Sequence, residues 1–312
     1  MPTITLDIER CARQLQSGEL VAMPTETVYG LAADARNSDA VAKVFQLKGR
    51  PGSNPLIVHL ADASQAADWV SEISPEAQML MDAFWPGPLT LVLPARDEVL
   101  RSVTAGQDSV ALRVPAHPGA RALLQAFGGG LVAPSANRYM SISPTSAAHV
   151  AQQFADSELL ILDGGACQVG LESSIVALLP GDNPRLLRHG MLDQQRLQQV
   201  LGQELDTQAG GLRAPGQHRR HYAPGTLAST FVEVPNAALD APDCGWIWCG
   251  QARPTRGPAI DLSADPDRYA AGLYAALYQL DAMQLRHLHI ALPPQGAAWA
   301  AVHERLQRAT TQ

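Results

Sequence analysis

Cysteine is scarce, and its placement builds nothing. The four cysteines, at 11, 167, 244 and 249, form no CxxC pair and no regular spacing, which excludes a disulfide-stapled scaffold. Cys244 and Cys249 flank Gly245-Trp246-Ile247-Trp248, which suits buried strand residues better than a zinc site. Aromatic residues make up 5% of the chain and the net charge is −7, which argues against wholesale coating of nucleic acid or of an anionic membrane. No basic region followed by an apolar stretch stands at the N-terminus, and no apolar run approaches the ~20 residues of a membrane span. A reducing, cytoplasmic setting is the default expectation, with no membrane partner. There is no GxxxxGK[ST], no GxGxxG after the first strand, no HExxH and no GxSxG. P-loop hydrolysis, hydride transfer and serine-hydrolase chemistry therefore lose their usual support. Lysine is nearly missing: Lys43 and Lys48 stand against 21 arginines. That singles out Lys48, beside Gly49, Arg50 and Gly52.

What is present is an ordinary globular composition, 46% hydrophobic and 17% charged, over 312 residues. Domains of about 100–200 residues make two the expectation. The negative charge sits in residues 1–205, while residues 206–312 are neutral. Apolar runs predict strands at Leu20–Met23, Leu56–Leu60, Leu89–Leu93, Val110–Val114, Leu131–Ala133, Ile175–Leu179 and Arg185–Arg188, the last two as a hairpin. Helical spacing falls at Ser38–Leu47 with Ser38 as cap, Ser64–Val70, Pro75–Phe84, Gly119–Phe127, Thr145–Phe154 with Thr145 as cap, and Asp193–Leu201. Irregular alternation of the two predicts a twisted, mixed α/β sheet. Residues 206–225 change character: Gly and Pro surround Arg213, His218, Arg219, Arg220, His221 and Tyr222. Either this is a solvated linker or it lies across an anionic ligand. From 226 a small α/β unit follows, with strands at Trp246–Cys249 and Leu288–Leu292 and helices at Pro266–Met283 and Ala298–Arg308.

Short polar motifs cluster after or beside the apolar runs: Pro24-Thr25-Glu26-Thr27-Val28-Tyr29-Gly30, Lys48-Gly49-Arg50-Pro51 with Asn54-Pro55-Leu56, Leu112-Arg113-Val114-Pro115, Pro134-Ser135-Ala136-Asn137, and Glu172-Ser173-Ser174. Strand ends are where open α/β sheets bind ligands. Lys48 offers a mobile point charge and Arg50 a planar fork, which suits a polyphosphate; the bland alternative is a glycine-capped helix whose cations favour its C-terminal dipole. Arg113, at the end of an apolar strand, needs a partner: Glu26, Glu172 or a ligand carboxylate. His59 is either a satisfied core histidine or a pocket residue. Ser135 and Asn137 fit an anion nest or an ordinary turn, and Ser173 with Ser174 fits a turn or a pair of ligand hydroxyls. Taken singly, each structural reading is respectable; taken together they require many coincidences of polar groups at strand ends.

The set PTETVYGL, KGRPxxNPLIVH, WPGPLTLVL, LRVP, APSAN with a downstream SPT, and GLESSIV resembles the YrdC-type threonylcarbamoyl-AMP synthases, from Leu20 to Arg188. The remainder, with HYAP in its linker, resembles the long two-domain Sua-type branch. The resemblance implies a YrdC-like catalytic domain over 1–205, a linker or lid over 206–225 and a small Rossmann-like α/β domain over 226–312. It implies condensation of L-threonine, bicarbonate or carbon dioxide, and ATP with Mg²⁺ to threonylcarbamoyl-AMP and pyrophosphate. The adenylate would pass to a separate transferase that modifies tRNA, without stable nucleic-acid binding here. By motif position, Thr27, His59, Arg113 and Ser173, with the backbone at Ala133, look like the threonine pocket. Lys48 and Arg50 look catalytic. Arg50, Asn54, Ser109, Ser135, Asn137, Ser143 and Arg188 look like the nucleotide side, closed by His221 and Tyr222. Family linkers often read PGMKYxHYxP; His218 and Arg219 stand in place of the lid Lys and Tyr, which leaves those two roles open. The competing readings are an RNA-binding module and another carbamoyl- or acyl-adenylate-forming enzyme on the same scaffold.

Overall fold

Short, mostly apolar runs form the strands, which collect into two sheets. The computed structural model describes residues 1–207, 211–216, 220–233, 241–250 and 256–311. His218 and Arg219 lie outside the described residues. A ten-stranded mixed sheet runs in the order β1 (Thr3–Thr5), β8 (Leu160–Leu162), β2 (Val21–Met23), β3 (Gly30–Asp34), β7 (Leu131–Val132), β4 (Ile57–His59), β6 (Ser109–Arg113), β5 (Leu89–Pro94), β9 (Ser174–Ala177) and β10 (Arg185–Arg188). β4 and β6 are parallel, with His59 opposite Arg113. β9 and β10 form the expected antiparallel hairpin.

The period-2 alternation of the strands splits this sheet into two unlike faces. On one, α2 (Ser38–Lys48), α3 (Pro75–Phe84), α6 (Ala147–Gln153) and α7 (Gln194–Leu201) pack Val44, Leu80, Val150 and Leu197 onto Val58, Leu91, Leu112 and Val176. On the other, α1 (Ile8–Gln16) and α5 (Pro118–Phe127) cover the half around β2, β3, β7 and β8, where Leu15, Leu123 and Leu124 meet Val21, Ala32 and Leu131. The half made by β4, β6, β5 and β9 is closed differently. There Ile57, Ala111, Val92 and Ile175 meet Leu212 and Ala214 of the linker. The uneven cover of this face makes room for a site.

The second sheet is four-stranded and parallel, in the order β11 (Ala228–Phe231), β14 (His287–Ala291), β12 (Cys244–Cys249) and β13 (Ala259–Leu262). Cys244 and Cys249 end β12 as buried, free thiols. The helix α8 (Pro266–Asp281), capped by Asp265, buries Tyr269, Leu273, Tyr274, Leu277 and Leu280, and α9 (Ala300–Thr310) closes the unit. The α8 core also takes in Val28, Ile142 and Leu171 from the loops of the large sheet, so the two sheets share one apolar seam.

Three local expectations are corrected. The α2 cap is Asn37, whose side chain accepts from the amides of Asp39 and Ala40, not Ser38. The α6 cap is Ser146, bonded by the His149 amide, not Thr145. The stretch near 64–70 is a 3₁₀ helix over Ala63–Asp68, because the Asp62 carboxylate accepts from the Ser64 amide and tightens the first turn.

Candidate active site

One cavity lies at the carboxyl ends of β4 and β6, against the loops that follow β2 and β7. Thr27, His59, Arg113, Ala133 and Ser173 stand on its wall. So do Arg50, Ser135, Arg188, His221 and Tyr222. Residues far apart in sequence thus converge on a single chamber.

Arg113 ends β6, buried at 4% exposure, and its guanidinium is fixed on three sides. Nη2 donates to Glu26 Oε1 at 2.6 Å, Nη1 to Thr27 Oγ1 at 2.9 Å and Nε to the Gly87 carbonyl at 3.2 Å. Of the partners open from sequence, Glu26 is the one it holds. His59 lies beside it in register, with Nδ1 3.3 Å from the Ile57 carbonyl. Burial, reinforced by the Arg113 charge, pushes its pKa down to about 3, so the ring is neutral at pH 7. Ser173 is gripped twice: its Oγ lies 2.7 Å from Thr90 Oγ1 and accepts from Arg188 Nη2 at 3.1 Å.

Arg188 and Arg50 supply the positive charge. Arg188, at the end of β10, donates Nε to the Ser173 carbonyl and Nη1 to the Pro215 carbonyl. Arg50 Nη2 donates to the Pro55 carbonyl, while its Nε is buried without a hydrogen-bond partner among the described residues. Burial lowers the pKa of both, to about 10 for Arg50, yet both stay charged at pH 7. Among the described residues neither forms an ion pair. Two guanidiniums line the cavity against a single carboxylate, Glu172, which favours an anionic ligand.

The linker forms the roof. Pro215, Gly216, His221 and Tyr222 line the cavity. Gly216 has φ +89°, and a Cβ there would stand 2.5 Å from the Tyr222 hydroxyl, so glycine is required twice over. Tyr222 itself is left-handed at φ +60°, a strained state. It is held by the flanking amides of His221, which donates to the Arg308 carbonyl, and Ala223, which donates to the Met140 carbonyl. His221 Nδ1 and the Tyr222 hydroxyl are buried with no partner among the described residues. Burial pushes His221 down to about 3, with Lys48, Arg50 and Arg305 adding to the shift. At about 0.8 kcal/mol per buried CH₂, the docking of Ala214 and the partly buried Leu212 secures this end of the roof by only a few kcal/mol.

The remaining candidates stand behind the wall. Lys48 is 3% exposed, and its ammonium donates to the carbonyls of Ser135 and Asn137. It is therefore a buried tie under the loop after β7, not a free phosphate ligand; burial and the nearby Arg50 pull its pKa well below the ordinary value. Asn137 braces that loop through Nδ2 to the carbonyls of Arg138 and Ser141. Ser143 donates to Glu172 Oε1 at 2.6 Å. Ser109 is buried at the start of β6, and Asn54 sits in the turn before β4. Neither they nor Lys48, Asn137 or Ser143 border the cavity. Thr90, Pro215, Gly216 and the wall position of Glu172 are site features that no motif in the sequence marks as such. Among the described residues no group of three or more His, Cys, Asp or Glu side chains is placed to hold a metal ion.

Residues 13–190 match the Sua5/YciO/YrdC family model, described as telomere recombination. The chain belongs to this family. Residues 192–311 match the Sua5 C-terminal model, described as the C-terminal domain of threonylcarbamoyl-AMP synthase. Threonylcarbamoyl-AMP synthase from Pyrococcus abyssi is 44% identical over 220 residues, 67% of this chain and 63% of that protein. The Bacillus subtilis protein of the same name is 44% identical over 223 residues, 70% of this chain and 64% of that protein. The matched stretch thus spans just under two thirds of these curated relatives. The solved structure of P. abyssi Sua5 complexed with L-threonine aligns with a TM-score of 0.90 at 34% identity, covering 99% of this chain and 97% of that one. The two-sheet architecture is that of the long Sua5 branch, as the motifs implied.

Proposed function

We propose that this chain is an L-threonylcarbamoyladenylate synthase. The observation that carries the reading is the cavity lined by Arg50 and Arg188, neither of which forms an ion pair among the described residues, beside a second subsite built from Arg113, Thr27 and Ser173. One half suits a polyphosphate, the other a small amino acid. Family membership and the threonine complex of P. abyssi Sua5 support the same reading.

In this reading the threonine amine takes up carbon dioxide as a carbamate, losing a proton to solvent. A carbamate oxygen attacks the α-phosphorus of ATP, and the bond from that phosphorus to the α,β-bridging oxygen breaks, releasing the β- and γ-phosphates as pyrophosphate. No protein nucleophile is needed; alignment and charge neutralisation do the work. Arg113 holds the threonine carboxylate with N–H groups beyond the three bonds already made. The Thr27 and Ser173 hydroxyls read the threonine hydroxyl, a discrimination that an apolar pocket cannot reach. His59, held neutral, and the Ala133 backbone complete that wall. Arg50 and Arg188 neutralise the phosphates, with Ser135 beside them. Lys48, Asn54, Ser109, Asn137 and Ser143 act through the loops they brace. A Mg²⁺ accompanying ATP would draw its ligands from phosphate oxygens and water, since the described residues offer no cage. The linker over 206–225, with His221 and Tyr222, is the lid that keeps water from the labile adenylate. Residues 1–205 are the catalytic domain, an extent supported by Leu197, Leu201 and Leu205 in the large core, and 226–312 the supporting one. A tRNA-modifying transferase in the cytoplasm would consume the product.

The test is mass-spectrometric detection of threonylcarbamoyl-AMP and pyrophosphate from L-threonine, bicarbonate, ATP and Mg²⁺. Omission of any substrate must abolish it. Formation of an adenylate with another amino acid but not threonine would move the reading to a different adenylate-forming enzyme. Steeply salt-dependent RNA binding without nucleotide turnover would replace it with an RNA-binding module.

A further inference from the structure

Glu172 is out of place for a nucleotide site. Its carboxylate stands on the cavity wall that also carries Arg50 and Arg188, where an ionised acid repels a polyphosphate. It is ionised: burial pushes its pKa up, but Arg305, Arg188 and the Ser143 hydrogen bond bring it down to about 2. Its neutralising partner comes from the other sheet. Arg305 of α9, with no solvent exposure, donates Nε to Glu172 Oε2 at 2.8 Å and Nη2 to the His189 carbonyl at 3.0 Å. Tyr274 of α8 donates its hydroxyl to the same carboxylate oxygen at 3.1 Å. The Arg305 guanidinium also lies 5.2 Å from the centre of the Tyr222 ring, which Tyr274 stacks at 5.8 Å.

Arg305 thus touches one wall residue and one roof residue. Stability alone gives little reason for this. A buried ion pair usually gains nothing over an apolar pair of the same volume. Position 305 belongs to the apolar stripe of α9, between Val302, Leu306 and Ala309. A leucine there would pack the seam, but it would leave Glu172 charged toward the nucleotide and the Tyr222 ring without its cation.

We propose that Arg305 is a positioning residue of the active site, cancelling the Glu172 charge and seating Tyr222 so that the cavity accepts a nucleoside triphosphate. The C-terminal unit thereby becomes part of the nucleotide site. The inference rests on the nucleotide reading above, and its test does not need the chemistry to work.

ATP and L-threonine binding are measured by calorimetry for the full chain and for Arg305→Met, Glu172→Gln and the double variant, with thermal melts alongside. Arg305→Met should weaken ATP binding ~10-fold or more, a coupling of the size seen for contacting groups. Threonine binding should stay within about 3-fold, and adding Glu172→Gln should restore ATP binding to within about 3-fold of the parent. Glu172→Gln alone should bind ATP at least as well as the parent, because Arg305 retains Glu304 at 3.6 Å. Arg305→Lys, which keeps the charge, should retain most of the affinity and serves if Arg305→Met does not fold. Unchanged ATP binding in Arg305→Met overturns the proposal, as does a double variant no better than the single. Large loss in Glu172→Gln or equal loss of ATP and threonine also overturns it. A parent protein that binds ATP but makes no adenylate ends the synthase reading and leaves this one standing; a parent that binds no ATP ends both.

Discussion

Arg113 and Glu26 form an ion pair of 2.6 Å in which neither side chain is more than 8% exposed. Glu26 also accepts from the Ala116 amide at 3.0 Å, so the carboxylate is satisfied before any substrate arrives. The pair aims the guanidinium rather than quenching it, since Thr27 and Gly87 fix the rest of its plane.

From this follows a split in the kinetics of Arg113→Lys, which keeps the charge and loses the fork. Hydrogen bonds to charged groups are worth about 1.5–3 kcal/mol, so KM for threonine should rise roughly 10- to 150-fold. KM for ATP should change little. Steady-state pyrophosphate release reads both, and equal losses would contradict the pocket assignment. Arg113→Ala should show the same split but cost about 3–5 kcal/mol of stability, because Glu26 is left buried and unpaired.

Lys48→Met keeps the apolar stem and removes the ammonium that ties the carbonyls of Ser135 and Asn137. The loop after β7 should then shift, and a misplacement of about 1 Å costs on the order of 100-fold in turnover. The expected outcome is a fall in kcat with smaller changes in either KM. Unchanged turnover would remove Lys48 from the positioning of the phosphate wall.

Much of this arrangement was legible in the sequence, and the failures have definite causes. Runs such as Leu89–Leu93 and Val110–Val114 announced central strands because both faces are buried. β3 was missed because Gly30-Leu31-Ala32-Ala33-Asp34 is built of small residues with weak strand preference, and its place is set by pairing with β2 and β7. β1 and β8 pair with each other, and the three-residue β1 is too short for periodicity to register. The helix α1 was missed, although Asp7 caps it through the Arg10 amide and Cys11, Ala12 and Leu15 form its buried stripe. At the site, motif order found the wall residues but not their depth: nothing in KGRP says that Lys48 turns inward and Arg50 outward. Arg305 carried a readable signal, a charged residue inside an apolar stripe, but the identity of its partner depends on how the two sheets meet.

His221 and Tyr222 roof the cavity, and the parent should therefore retain its adenylate. The double change of both residues to Ala should open that roof while leaving Arg50, Arg113 and Arg188 in place. The expected result is loss of adenylate synthesis, or formation followed by faster release and hydrolysis, seen by trapping the product in rapid-quench samples. Full synthesis with tight product retention would return the 206–225 segment to a plain linker.

Acid should weaken the fold through its buried imidazoles. His59 is held down at about 3 in the folded protein, against 6.5 ordinarily. Below pH 6.5 the unfolded chain gains a proton that the folded chain refuses, so stability falls as pH drops from 6.5 toward 3. The slope reaches about 1.4 kcal/mol per pH unit for one such group, and above pH 6.5 the contribution is flat. His221, also at about 3, acts in the same direction. Glu172, at about 2 against 4.5, adds a second loss only below pH 4.5, where the unfolded carboxylate begins to protonate. Melting temperatures between pH 7.5 and 4 should therefore fall first near pH 6, before any carboxylate titrates. His59→Gln should make that first decline shallower by one group's share, His221 supplying the rest, and leave the later one intact; parallel curves for parent and variant would mean that His59 is not held neutral by burial.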